Sequence, residues 1–313
     1  WVYDMREELG VFPHNIASSS PAMVDGKLAV TTSNGVDWSH LNIPAPQAPC
    51  LILLDPATGE LVGEEASKIG ERVMHCNWSS PMIAKVAGQE AIFFGAGDGI
   101  LYSFSPKAKE DDEGFLVLPE NWRVDGNLPE YRHDKDGKKI KYATFEGPSE
   151  YISSPVYHEG KVIALLGQDP EHGEGVGRMM CVDATTGKVD WDYTGIERGI
   201  STASIADGLV YAADYRGRVH CVDFNSGEKI WMFDTKSHIW GSTLVADGKV
   251  FIGNEDGEVV ILKHGRKLEE IGMIEFAAPV YASPIVANGV LYIASQTNLY
   301  AFGQKGSVKT AAK

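Results

Sequence analysis

The sequence predicts an all-β fold, a β-propeller of four-stranded antiparallel blades, and three observations carry that prediction. The first is a short phrase that recurs six times: small residues closing on Pro or a small stand-in, a few apolar residues, and in most copies a tight Asp-Gly-like turn before an apolar strand. The copies are Ser19-Ser20-Pro21 with Asp25-Gly26, Ser79-Ser80-Pro81, Ser153-Ser154-Pro155 with Glu159-Gly160, Ser201-Thr202-Ala203 with Asp207-Gly208, Gly241-Ser242-Thr243 with Asp247-Gly248, and Ala282-Ser283-Pro284 with Asn288-Gly289. Their spacing, about 40 to 75 residues, is the period of a propeller blade. The second observation is composition: 43% apolar residues and 34 glycines suit a turn-rich β core. The third is an Asp-x-x-x-Gly turn followed by Trp, seen as Asp183 to Gly187 before Trp191 and as Asp223 to Gly227 before Trp231.

The fourth repeat shows the unit most cleanly. Ile200 to Ile205 reads as the inner strand, ended by Ala206-Asp207-Gly208, whose Gly accepts φ > 0. Leu209 to Ala212 is the second strand, rich in β-formers, and Tyr215-Arg216-Gly217 turns the chain into a third strand over Val219 to Val222. Asp223 opens the next turn, its side chain placed to accept backbone N–H groups, and Lys229 to Phe233 is the outer strand. The first repeat keeps the turn, Asp55 to Gly59, but has Gly63 where Trp would stand. Repeats lie near 16–66, 76–124, 151–194, 199–234, 239–275 and 280–302, and 1–313 reads as a single domain.

The last repeat lacks an outer Trp strand, whereas the chain opens with Trp1-Val2-Tyr3-Asp4, similar to Trp231-Met232-Phe233-Asp234. Trp1 to Met5 is therefore expected to supply the missing strand, giving six blades and removing exposed sheet edges. The alternative is a fragment of an eight-bladed propeller. The chain starts without an initiator Met and shows no secretory leader, which predicts a processed or trimmed product.

A formal charge of -15 argues against nucleic acid, because phosphate binding needs a basic surface. No apolar run reaches membrane-spanning length. The four cysteines, Cys50, Cys76, Cys181 and Cys221, have no zinc spacing, and the last two open the same Cys-Val-Asp triplet in successive repeats, as small buried residues would.

Ser-Ser-Pro, Asp-Gly and Asp-Ala-x-Thr-Gly-x-x-x-Trp together resemble the PQQ-like repeat, which is shared by quinoprotein alcohol dehydrogenases and BamB-type assembly factors. The resemblance covers essentially the whole chain. Stretches such as Val11 to Ile16 and Gly167 to Gly177 are similar to PQQ-like propeller proteins abundant in planctomycete-type bacteria. The resemblance implies a periplasmic or extracytoplasmic location and two roles: a quinoprotein dehydrogenase using PQQ and calcium, or a non-catalytic binding and scaffold module with a protein or small-molecule partner. The adjacent cysteine pair and the Glu/Asn/Asp metal set of the dehydrogenases have no counterpart at matching positions here. The expectation is the binding module; carbohydrate binding or processing is a third reading.

Loop lengths choose a face. The expanded connections are second-to-third strand insertions (33–49 and 167–178) and fourth-to-first connections (64–74 and 125–150), which emerge on one side of an up-and-down blade. Long loops on a rigid scaffold carry function. His14, Asn15, His75, Asn77, Trp78, Arg198, His238 and Trp240 lie just before inner strands and are candidates to line a channel mouth, as a ligand site or as walls of a water-filled channel. In the loop Gln168 to Glu174, the side chains of Asp169, Glu171, His172 and Glu174 are donors suited to a divalent cation, or simply a solvated acidic loop.

Overall fold

Each repeat folds as its turn residues dictate. The computed structural model describes residues 1–303, and the chain divides into two compact units, Trp1–Thr194 and Gly195–Lys313. In the first unit, one sheet contains Ala22–Val24, Lys27–Thr31, Leu51–Leu54 and Leu61–Glu65 in sequential order. The second contains Met82–Val86, Gln89–Gly95, Ile100–Phe104 and Glu120–Asp125, and the third Val156–His158, Lys161–Leu165, Met179–Asp183 and Val189–Tyr193. In the second unit, Ser204–Ala206, Leu209–Ala213, Arg218–Asp223 and Lys229–Asp234 form a four-stranded sheet, as do Leu244–Ala246, Lys249–Gly253, Glu258–Lys263 and Glu270–Glu275. A final sheet holds Ile285–Ala287, Val290–Ala294 and Leu299–Phe302.

The first hairpin of each sheet is a two-residue turn with both φ positive, for example Asp207 at 47° and Gly208 at 72°. That is a type I′ turn, whose twist matches the strands it joins. The small-residue phrases precede the innermost strands rather than lie within them, because their hydroxyls have another partner. Ser20 N donates to Ser80 Oγ (2.9 Å) and Ser80 N to Ser154 Oγ (3.2 Å). In the second unit Thr202 N donates to Ser242 Oγ (2.9 Å) and Ser242 N to Ser283 Oγ (2.8 Å). One repeat's backbone N–H is thus satisfied by the same position of the next.

The Asp-x-x-x-Gly turns work as the sequence suggests, and the structure adds their purpose. Asp183 Oδ1 accepts from Thr185 N and Thr186 N (3.1 and 2.9 Å), and Gly187 takes φ 73°. The Trp122 ring of the preceding sheet lies on Gly187, where an added Cβ would come within 2.8 Å of it, and Trp122 Nε1 donates to Ala184 O at 3.0 Å. Each outer-strand Trp also faces a small residue across the sheet: Trp191 opposite Cys181, Trp231 opposite Cys221, Trp122 opposite Ser103. All four cysteines are buried and unbridged.

The expected fourth strand of the last sheet does not form from Trp1–Met5. Asp4 instead caps a helix over Met5–Leu9, its Oδ1 accepting from Arg6 N (3.0 Å) and Glu7 N (3.3 Å), and Gly10 closes it at φ 66°. Among the described residues the last sheet keeps three strands. Trp1 nevertheless takes a repeat position. Its ring lies on Gly59 and its Nε1 donates to Pro56 O at 3.0 Å, the contacts Trp122 makes to Gly187 and Ala184. The expected pairing failed because a helix cap captured the residues after Trp1-Val2-Tyr3, and the docking of Trp1 on Gly59 was not anticipated.

The core lies between successive sheets within each unit. Leu51, Leu53, Ile92, Phe94, Tyr102 and Phe104 fill one layer of the first unit, and Tyr211, Val219, Trp231, Val250, Ile252 and Leu262 one of the second.

Candidate functional site

The long connections of the first unit converge on one cluster. The segment 33–36, leading out of the second strand, is clamped on both sides by backbone bonds. His14 N donates to Ser33 O (3.2 Å), Gly35 N to Phe12 O (3.0 Å) and Val36 N to His75 O (2.8 Å). Gly35 permits this threading, since a Cβ there would meet His75 O at 2.5 Å and His14 Cβ at 2.8 Å. His14 and His75 are thereby pressed together, with Nε2 atoms 2.9 Å apart.

The same insertion supplies a third imidazole. Asp37 is its hub, its carboxylate accepting from Ser39 Oγ (2.6 Å), Ser39 N (3.1 Å) and Asn42 Nδ2 (2.8 Å), which holds its pKa well below the usual carboxylate range. The turn so formed puts His40 in the left-handed region, φ 58°, a conformation uncommon for a residue with a Cβ. His40 Nε2 then lies 3.2 Å from His14 Nε2.

The other long connections close around this trio. Tyr142 packs edge-on to His75, and its hydroxyl donates to Glu150 Oε1 at 2.8 Å. Glu150 is fully buried, which pushes its carboxyl pKa up; Oε2 accepts from Cys76 N (3.3 Å), and its backbone bridges to Gly167. His172 stacks on His75 with centroids 5.4 Å apart, its Nδ1 against Gln168 Oε1. Trp78 meets His75 edge-on at 4.8 Å and donates from Nε1 to Ile16 O. His75 loses basicity to about 3, first through burial and then through the neighbouring imidazoles of His14, His172 and His40.

The remaining sequence candidates fall elsewhere. Asn15 is exposed at φ 53°. Asn77 is buried and serves the backbone, donating to Asn34 O and accepting from Gly97 N. Asp169 caps the short turn Pro170–His172, and Glu171 is exposed. Glu174 is half-buried. Among the described residues, the group able to hold a metal is His14, His40 and His75. In the second unit Arg198 is buried; His238 lies flat on Tyr215 (4.3 Å, 2°) and meets Glu255 Oε2 at 3.1 Å, while Trp240 sits edge-on to Tyr281 at 5.1 Å. His40, Tyr142 and Glu150 were missed. Their signal was position, inside or at the end of the long connections.

Blades with Trp-on-Gly docking and a loop-rich site define a PQQ-like propeller repeat protein. The profile described as outer membrane protein assembly factor BamB matches residues 122–311, more than half of the chain, and the chain belongs to that family. The crystal structure of BamB from Moraxella catarrhalis is similar, with a TM-score of 0.61 and 16% identity over 92% of this chain and 70% of that one. A quinohemoprotein alcohol dehydrogenase from Pseudomonas putida HK5 is similar at a TM-score of 0.53 and 16% identity, over 86% of this chain and 43% of its own. The chain thus spans under half the length of that enzyme. At such identity the likeness establishes the all-β propeller fold. No curated protein sequence matches the chain.

Proposed function

We propose that this chain is a non-catalytic binding propeller of the cell envelope that takes a protein partner on the loops around the histidine cluster. The observation that carries this reading is a group of exposed apolar side chains on those loops: Ile16, Trp38, Leu41 and Phe145, at 72%, 68%, 83% and 50% exposure. Trp38 lies against His14, with ring centroids 5.3 Å apart, and Ile16 is joined to Trp78 through its carbonyl. Apolar groups gathered on functional loops gain free energy when a partner covers them. The family description, an assembly factor for outer membrane proteins, supports a protein as partner and an extracytoplasmic setting. No helix among the described residues is long and apolar enough to cross a membrane.

A photo-crosslinking residue placed at Trp38 is expected to capture one envelope protein in cells, and the same residue at exposed Lys85 to capture none. Leu41→Glu should abolish capture without changing the thermal unfolding midpoint. Equal capture from both positions, or capture that survives Leu41→Glu, removes the partner reading. Turnover of an alcohol or sugar in a dye-linked assay with added PQQ and calcium removes the non-catalytic one.

A further inference from the structure

We propose that His14, His40 and His75 bind a single divalent ion of the zinc, copper or nickel kind through their three Nε2 atoms. The inference is independent of the partner reading. It starts from one hydrogen bond. His14 Nδ1 lies 2.8 Å from Val36 O. A carbonyl only accepts, so Nδ1 carries the proton, and in the neutral ring Nε2 is a bare lone pair. Two other imidazole nitrogens crowd that one lone pair, His75 Nε2 at 2.9 Å and His40 Nε2 at 3.2 Å. One N–H satisfies a single lone pair, so hydrogen bonding accounts for one of these contacts and leaves the other an unmet approach of two nitrogens. A cation at the centre of the three nitrogens satisfies all of them at once.

The dimensions agree. The donor atoms lie within 4.8 Å of one another, and tetrahedral zinc with Zn–N bonds of about 2.0–2.1 Å holds its nitrogens about 3.3 Å apart. The His14–His40 separation of 3.2 Å already fits, and the His14–His75 pair at 2.9 Å needs to open by a few tenths of an ångström. Three imidazoles with neither carboxylate nor thiolate select borderline transition metals over calcium and magnesium, which want oxygen. Outer partners are in place: Val36 O fixes the His14 tautomer, and the Tyr142 hydroxyl faces His75 Nδ1 at 3.5 Å. His14 and His75 are buried while His40 is exposed, so the ion has a solvent-facing entry and three protein ligands leave a coordination position for water or another ligand.

The test uses the tag-free chain, stripped with chelator and titrated with Co(II) by visible absorption, then with zinc in competition. One equivalent should bind with d–d bands typical of nitrogen ligation, and zinc should displace it. His40→Ala and His40→Gln, both on an exposed loop, should each weaken binding at least about tenfold. His14→Ala should do the same, whereas His172→Ala should leave affinity within about twofold, because its ring stacks on the cluster without joining it. Zinc should raise the unfolding midpoint of the wild-type chain and leave that of His40→Ala unchanged; magnesium should move neither. Absence of saturable binding up to about 100 µM metal, or affinity that survives both His40 variants, overturns the proposal.

Discussion

His75 and His238 both stand just ahead of the small-residue phrase of their repeats, each followed within three residues by a Trp, yet they have different fates. His75 is buried among three other imidazoles, with its partners drawn from three long connections. His238 is half-exposed, lying on Tyr215 and paired with Glu255 from short turns of its own unit. The scaffold that positions both is the same: type I′ hairpins, hydroxyls accepting from the previous repeat, and Trp docked on the neighbouring turn. What differs is the chain inserted between strands. The repeat sets an address; the insertions decide the chemistry found there.

The largest expected effects test the shared scaffold. Trp122→Ala and Trp231→Ala each remove a buried indole and its bond to a backbone carbonyl, to Ala184 and Gly265 respectively, and should cost about 3–5 kcal/mol by denaturant unfolding. A negligible loss in either unit breaks the equivalence. The next effect separates the units. At Gly63 the Trp position is filled by Leu118 from an added hairpin, 2.9 Å from where a Cβ would stand, so Gly63→Trp should destabilise by about 1–3 kcal/mol. At Gly272 nothing lies within 4 Å of an added Cβ, and Ile261 beside it lines a groove of about 640 Å³. Gly272→Trp should therefore raise the unfolding midpoint, a change worth on the order of 1 kcal/mol.

A smaller effect comes from pH. His75 is held neutral in the fold down to about 3, against an ordinary value of 6.5. Between those values the unfolded chain binds the extra proton, so this group's contribution to the stability of the metal-free protein is lost as pH falls from 6.5 toward 3. His75→Gln should flatten that slope; an unchanged slope would show that burial of this ring is not felt. The smallest effect is His238→Ala, which removes a solvent-screened contact to Glu255 and should cost less than about 1 kcal/mol by thermal unfolding.

Much of this was readable before any coordinates. Ser-Ser-Pro, Asp-Gly and Asp-x-x-x-Gly are backbone instructions, acting through φ angles and local side-chain acceptors, so they survive translation into structure residue by residue. His14 and His75 were found because repeat alignment places them before inner strands. His40 was missed since its contribution depends on the Asp37 hub and on Gly35 allowing two segments to touch, neither of which leaves a periodic trace. The N-terminal residues illustrate the converse. Trp1 to Met5 resembles an outer strand, but Asp4 followed by Met5-Arg6-Glu7-Glu8 is also a helix start, and local capping prevailed over strand pairing.

The serine and threonine relay running through Ser20, Ser80 and Ser154, and again through Thr202, Ser242 and Ser283, gives the array a polarity like that of stacked cups. Ser80 and Ser242, at the middle of each relay, both donate from the backbone and accept on the hydroxyl. Within either unit a duplicated whole copy would meet the same donor and acceptor on its two sides, whereas insertion of part of one would orphan a donor.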